Sequence, residues 1–462
     1  MTAAKDTFIA VTRFGLGAAP GDFDNIRKPR QWLEDQLTPA AAAAAAPQNI
    51  PTTMTALRQM QENGMMMRQD RMAAKDSMDD GAKEQLADSI KAINKGETQD
   101  FVTQAAAMTR AAAGSPAPFF ERLVQFWANH FTVSITKRQD IAFVAPYVQE
   151  AIRPHVLGNF HDLLRAATRH PAMEIYLDNQ ISMGPHSKAG LRQHKGLNEN
   201  LARETMELHS VGVDGGYTQQ DVTEFSKILT GWTIDRQGRG DGSGFFFAPA
   251  MHEPGDKFFL GQVYHENGVN EGEQALQVLA HHPSTAKFIA VKLARHFIAD
   301  DPPPAAVAQL QQAFAAHNGA LIPVYRALIG LKEAWAHPLV KLKTPQDLVL
   351  SILRAGGFAD SLKDQQVVGP LRMLGQMPFT APSPAGWSDR AADWMSAEAL
   401  LQRINVARFA GRLLHTRLNP SYLMESTIGP VASAETRNAV LGAGSVQEAI
   451  TLLFSSPEFQ RR

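Results

Sequence analysis

Between Asn198 and His209 the chain reads NENLARETMELH, and three of these side chains could do acid–base chemistry together. On a helical wheel at roughly 100° per residue, Leu201, Thr205, Leu208 and Gly212 centre an apolar face, and Glu204 falls at its edge. Asn200 and Glu207 stand beside Glu204, because residues three and four apart stack on one side of a helix. A carboxyl group half withdrawn from water beside a second carboxylate holds its proton more tightly, unless an arginine or a metal compensates. Such a pair suits general acid–base catalysis or an oxygen-preferring divalent cation. The competing arrangement is a ladder, Glu199–Arg203–Glu207, with each step at i,i+4; it contributes about 0.3–0.5 kcal/mol per pair and does no chemistry.

Other residues could complete this centre. His130, at the end of an amphipathic stretch with Trp127 and Asn129, is either a base or a hydrogen-bonded core histidine. Asp178, just past Tyr176, either lines the same cavity or makes a turn. Glu204, Glu207, His130 and Asp178 are thus the candidate catalytic residues, and Glu204 with His252 the candidate metal ligands. Asn200, Arg203 and Arg192 are candidates for holding a substrate, Arg203 by orienting an anionic one. Arg192 belongs to a cationic run, His186 to Lys195, that precedes a helix start and could attract a carboxylate, sulfate or phosphate; a solvated loop is the alternative. Trp232 and Trp387 could stack on a sugar ring, although packing explains most tryptophans.

Several chemistries are excluded. With no cysteine in 462 residues, disulfides, thiolate zinc sites, Fe–S clusters and cysteine nucleophiles are absent. A net charge of -1 gives no basic surplus to hold a phosphate backbone, so nucleic acid is not the expected partner. No stretch approaches the roughly 18 to 20 apolar residues of a membrane span; Phe288 to Leu293, among the longest, is interrupted by Lys292 and followed by Arg295. The N-terminus shows no secretory leader, so a soluble protein of the cytoplasm or periplasm is expected. Gly15-Leu16-Gly17 after Phe8–Val11 lacks the third glycine of a dinucleotide fingerprint and reads as a turn. Ser187, between Gly184 and Gly190, has the wrong spacing for a nucleophile elbow.

The elements that must position these residues are mostly helices. Phe120, Leu123, Val124, Trp127 and Phe131 mark one buried face. Further helices are expected over 139–152, 159–169, 198–211 with Asn198 as N-cap, and 218–229 opened by Thr218 and Asp221 as a capping box. Others are expected over 272–281, 284–298, 303–317, 344–356, 397–415 and 446–454. Residues 233–263, with four alternating glycines and two aromatic runs, predict a small β-hairpin excursion. The fold class is therefore mainly α, a multi-helical single large domain. Three parts are expected: residues 1–49 with an alanine-rich linker (40–46), a methionine-rich helical insertion or arm over 50–113, and the main body over 114–462. Seven of the 17 methionines fall between Met54 and Met78 (Met54, Met60, Met65, Met66, Met67, Met72, Met78), and they read as adaptable packing residues better than as a copper site.

The segments carrying these features together resemble a large bacterial family known as domain of unknown function 1800. The resemblance rests on Leu197-Asn198-Glu199-Asn200, Ala202-Arg203-Glu204, Glu207-Leu208-His209, Gly212 to Gln219 and Leu229-Thr230-Gly231-Trp232. Arg13 to Gly17, Phe126-Trp127, Asn129-His130-Phe131, Tyr176 to Asn179, Ala385-Gly386-Trp387 and Ser455 to Phe459 extend it over nearly the whole chain. It implies no activity. It does imply an exported protein and a partner of the alkaline-phosphatase/sulfatase-like family. Two functions follow as expectations: a hydrolase or metal-assisted acid–base enzyme centred on the Asn198–Glu207 segment, or a non-catalytic binding partner of such a protein or of a polysaccharide.

Overall fold

In the computed structural model, which describes residues 2–44, 46–76 and 80–462, the predicted face of helix Pro118–His130 is buried, and so are Phe119 and Phe126. Glu121 and Arg122 on its other side are buried as well, so most of the helix lies inside the molecule. Trp127 donates its indole N–H to the Tyr325 hydroxyl at 2.6 Å, and that hydroxyl donates to the Val156 carbonyl at 2.8 Å, so the polar edge of the Trp127 ring is satisfied internally. Around it the described residues form 25 α-helices and two small antiparallel two-stranded sheets, a mainly α architecture sharing one extended core.

The 233–263 excursion is two hairpins rather than one. Trp232–Ile234 pairs with Phe245–Phe247, and Lys257–Phe259 pairs with Gln262–Tyr264. Helices Phe160–Arg169, Gln219–Leu229, Val269–His281, Pro283–Phe297, Pro304–Ala316, Pro345–Gly356, Ala397–Leu414 and Val446–Ser455 lie within a few residues of their predicted spans. Residues 139–152 differ: they form a 3-10 turn (Arg138–Ala142), one α turn (Val144–Tyr147) and a π turn (Val148–Ile152). Pro146 lies inside this stretch and Pro154 just beyond it, and neither has a backbone N–H to give a regular ladder.

The methionine-rich segment forms helices Thr53–Asp76 and Asp80–Gly114. Ala45 and Met78, which belong to the alanine run and the methionine-rich stretch, lie outside the described residues. The far end of the segment is solvated, with Met65, Met66 and Met72 exposed, whereas Ala56, Leu57, Phe101, Val102, Ala105 and Ala106 are buried in the common core. The second helix is thus an arm over its first half and part of the body over its second. Among the described residues no helix is long and apolar enough to cross a membrane.

Candidate functional site

Helix Asn200–Glu207 is shorter than the predicted 198–211. Asn198 Oδ1 accepts the Asn200 N–H at 2.9 Å, and at the far end the N–H groups of Leu208 and His209 both turn back to the Glu204 carbonyl. Leu201, Ala202, Thr205 and Met206 are buried, Glu204 and Glu207 are half-buried, and Asn200 is exposed. The wheel therefore orders the face correctly, but Asn200 stands in solvent.

The two glutamates have different surroundings. Arg203 is committed elsewhere: its guanidinium meets Glu199 at 2.9 Å, Gln219 at 3.0 Å and Glu207 at 3.4 Å. Glu207 is thereby part of the ladder, and it also receives the Tyr217 hydroxyl. Among the described residues Glu204 has no hydrogen-bond or ion-pair partner. Burial raises its proton affinity above that of a free glutamate, Glu207 adds to the shift, and Arg203 only partly offsets it.

Two further acids face the same region. Burial pushes the Tyr176 phenol up to about 12, with Glu204 and then Asp140 adding to the shift. Asp140 is fully buried and neither of its carboxyl oxygens has a partner; burial pushes it up to about 8, Lys137 opposes this and Asp178 adds to it. Asp178 itself sits at φ 59°, a left-handed turn, and pairs with Lys137 at 2.5 Å. Glu204, Tyr176, Asp140 and Asp178 thus form one acidic neighbourhood with a single lysine, Lys137, close to it. Such a neighbourhood can hold protons near neutral pH.

The remaining candidates are placed elsewhere. His252 is buried, with Nδ1 2.8 Å from the Thr230 carbonyl and Nε2 2.9 Å from Glu271 Oε1; Lys257 Nζ reaches Glu271 Oε2 at 2.8 Å. Both imidazole nitrogens are occupied within a closed ion-pair network. No group of three or more His, Asp or Glu side chains is arranged to hold a metal ion among the described residues. His130 donates Nε2–H to the His209 carbonyl at 3.0 Å and is enclosed by Phe126, Trp127, Phe131, Phe160 and Phe288. Burial, with the nearby Lys292, drives its proton affinity far down, so it is a neutral core imidazole. Arg192 is exposed at the end of the short helix Lys188–Gln193. Trp232 is wholly buried against Gly272, where an added Cβ would stand 2.2 Å from the ring, so it has no face to offer a ligand. Trp387 is half-buried; Asn129 grips its backbone from both sides, accepting its N–H at 2.7 Å and donating to its carbonyl at 2.9 Å. Gly386, at φ 79°, allows this approach, since a Cβ there would lie 2.4 Å from the Asn129 carbonyl.

A family model described as "protein of unknown function (DUF1800)" matches residues 9–461. The chain belongs to the DUF1800 family. No curated protein and no solved structure matches it. Three segments that carry the DUF1800 resemblance meet in space: 126–131, 207–209 and 385–387 join through the His130–His209 and Asn129–Trp387 hydrogen bonds.

Sequence reasoning passes over Lys137, Asp140 and the contribution of Tyr176, as well as a second buried set. His296 bonds Asp389 at 2.7 Å, and burial lowers Lys292 to about 8 and His209 to about 3. A signal existed for part of this set: Phe288, Lys292 and His296 recur every four residues, which places all three on one helix face.

Proposed function

We propose that this DUF1800 protein is an acid–base enzyme of the hydrolase type, with Glu204 as the group that exchanges a proton with substrate. The observation that carries the reading is that Glu204 is half-buried and unpartnered while its helical neighbours are clamped by Arg203. A carboxyl group with raised proton affinity can donate at a pH where a free one cannot, then take the proton back. Tyr176 lies close enough to share the developing charge, and the Lys137–Asp178 pair fixes the turn beside it. Three carboxyl groups and a phenol with one nearby lysine favour an uncharged or cationic substrate. The anionic substrate expected from Arg203 loses its anchor, because that guanidinium is taken by Glu199, Glu207 and Gln219.

The test works before the substrate is identified. The Glu204 carboxyl, followed by carbon-detected NMR with Glu204→Gln to assign it, should titrate above a free glutamate. In a panel of chromogenic esters and glycosides, Glu204→Gln should remove any turnover that Arg203→Met leaves. A Glu204 that titrates at or below the free value, or full turnover in Glu204→Gln, rejects the assignment.

A second reading keeps the chain as a non-catalytic partner of an alkaline-phosphatase/sulfatase-like protein or of a polysaccharide. It is favoured by an open groove of about 930 Å³ between the arm helices and the body, with Met60, Met65 and Met67 on one wall and Ile141 and Phe143 on the floor. Methionine-lined surfaces adapt to partners. Excising residues 62–96, with a short glycine-serine bridge, spares the buried anchors Leu57 and Phe101. It should abolish binding to a purified sulfatase-like partner under this reading; unchanged binding would remove the groove from consideration.

A further inference from the structure

The cationic run of the sequence folds into a closed surface loop. The Met183 N–H donates to the Gly196 carbonyl at 3.2 Å and shuts its ends. The Gly184 and Ala189 N–H groups donate at 2.8 Å to the carbonyls of Met251 and Ala250, which fastens the loop to the chain just ahead of Glu253. Residues 183–196 contain Lys188, Arg192 and Lys195, all exposed, and no acid. The acid is supplied from beneath. Glu253 is only 5% exposed, and among the described residues its carboxylate has partners in one residue alone: the His186 N–H donates to Oε2 at 2.9 Å and the His186 Nδ1–H to Oε1 at 2.6 Å. Gly184 lets the loop close over it, since an added Cβ there would strike the Glu253 carboxylate and backbone. The His186 side chain, by contrast, is 75% exposed.

We infer that His186 is a phosphoryl acceptor, its Nε2 taking the group from a donor with a phosphorus–nitrogen bond, and that Glu253 is its positioning residue. Burying a carboxylate is costly unless it is paired and hydrogen-bonded, and here the whole carboxylate is given to one exposed ring. An ionised carboxylate only accepts hydrogen bonds, so Nδ1 carries the proton and the neutral imidazole keeps its lone pair on the free Nε2. An anionic phosphoryl donor approaching that nitrogen meets a loop with three cations and no acid. The step balances. The Nε2 lone pair forms the new N–P bond, the N–P bond of the donor breaks, and its electron pair leaves with the amine. The Nδ1 proton stays with Glu253, whose charge offsets that of the positive ring. One N–P bond replaces another, so no further reactant enters. A second histidine provides the contrast: His265 Nδ1 lies 2.8 Å from Asp256, but that acid is itself 55% exposed and fixes nothing. The site depends neither on Glu204 nor on the methionine-lined groove.

Potassium phosphoramidate is the probe, added to the full-length protein at mildly alkaline pH and followed by phosphorus NMR and peptide mass mapping. Of the 15 histidines, His186 should react first and at Nε2. It should react about tenfold faster than His265 in the same chain. Glu253→Gln keeps the size and removes the charge; it should slow His186 by about tenfold and let the Nδ1 isomer appear, while His265 keeps its rate. A Glu253 that merely fastened the loop would leave the isomer ratio where it was. The comparison of His186 with His265 is made within the parent protein, so it decides the matter even where the variant fails to fold. Equal rates at the two histidines, reaction at Nδ1 in the parent, or an unchanged rate and isomer in Glu253→Gln would overturn the proposal.

Discussion

Replacing Glu204 by glutamine keeps its shape and removes its charge. Because the native side chain has no partner to lose, the variant should match the parent in stability within about 0.5 kcal/mol, while any acid–base turnover should fall by about 10²–10⁴-fold. Lys257→Met is the contrast: it leaves Glu271 Oε2 without its cation in a wholly buried site, Oε1 alone keeping partners, and should cost about 3–5 kcal/mol by urea denaturation. Asp140 makes a prediction about pH. Its folded pKa, about 8, lies above the unfolded value of roughly 3.9. The neutral carboxyl is therefore tolerated at low pH, and stability is lost as pH rises through the folded value. Asp140→Asn should be close to neutral at pH 4 and stabilising by a few kcal/mol at pH 8, because a tenfold change in proton affinity corresponds to about 1.4 kcal/mol; equal effects at the two pH values would mean that Asp140 is ionised throughout. The position of Glu204 was legible because helical spacing alone decides which side chains share a face. Asp140 was not, because its burial depends on three irregular turns and on Lys137 and Asp178, none of which leaves a periodic mark in the sequence.

Helix ends follow the same division. Thr218 and Asp221 were readable as a capping box, and the structure forms it, with Thr218 N–H donating to Asp221 at 2.8 Å and Asp221 N–H donating to Thr218 Oγ1 at 3.2 Å. His282, the N-cap of helix Pro283–Phe297, accepts the Ser284 N–H at 3.2 Å. Such caps are local chemistry and stay visible in the chain. The two hairpins are not local in this sense: Trp232–Ile234 finds Phe245–Phe247 across the turns of residues 235–244, which Asp235 organises by accepting three backbone N–H groups. Asp221 has a second role beyond its cap, since its other oxygen accepts the Leu260 N–H at 2.9 Å and ties the second hairpin to helix Gln219–Leu229. Thr218→Ala should therefore cost about 1 kcal/mol, an ordinary cap. Asp221→Ala should cost about 2 kcal/mol, because it also leaves the Leu260 N–H unpaired. Identical losses in denaturant titrations would show that the Leu260 bond contributes nothing.

At the scale of the whole molecule, the first and last segments close on each other. Arg462 exchanges two backbone hydrogen bonds with Lys341, and its side chain donates to the Arg13 carbonyl at 3.2 Å. Arg122 reaches the Gly15 carbonyl at 2.6 Å, and Arg354 the Gly17 carbonyl at 3.0 Å. Asp347 is the common counter-ion: it lies 2.9 Å from Arg122 and 3.0 Å from Arg462, all three side chains being buried. Burial alone would raise its pKa, but Arg122 and Arg462 more than offset this and hold it below the ordinary carboxylate range. With a folded pKa below the unfolded one, its contribution is present in full above about pH 4 and is lost as pH falls through the folded value. Asp347→Asn keeps the size but leaves two guanidinium groups uncompensated, so at pH 7 it should cost about 3–5 kcal/mol. That deficit should shrink below about pH 4, where the unfolded parent takes up a proton that the folded Asp347 does not. Because Arg122 and Arg462, the partners of Asp347, also hold the carbonyls of Gly15 and Arg13, calorimetry should show one unfolding transition moved to lower temperature. Two transitions, one unmoved, would mean that the terminal segments unfold apart from the rest.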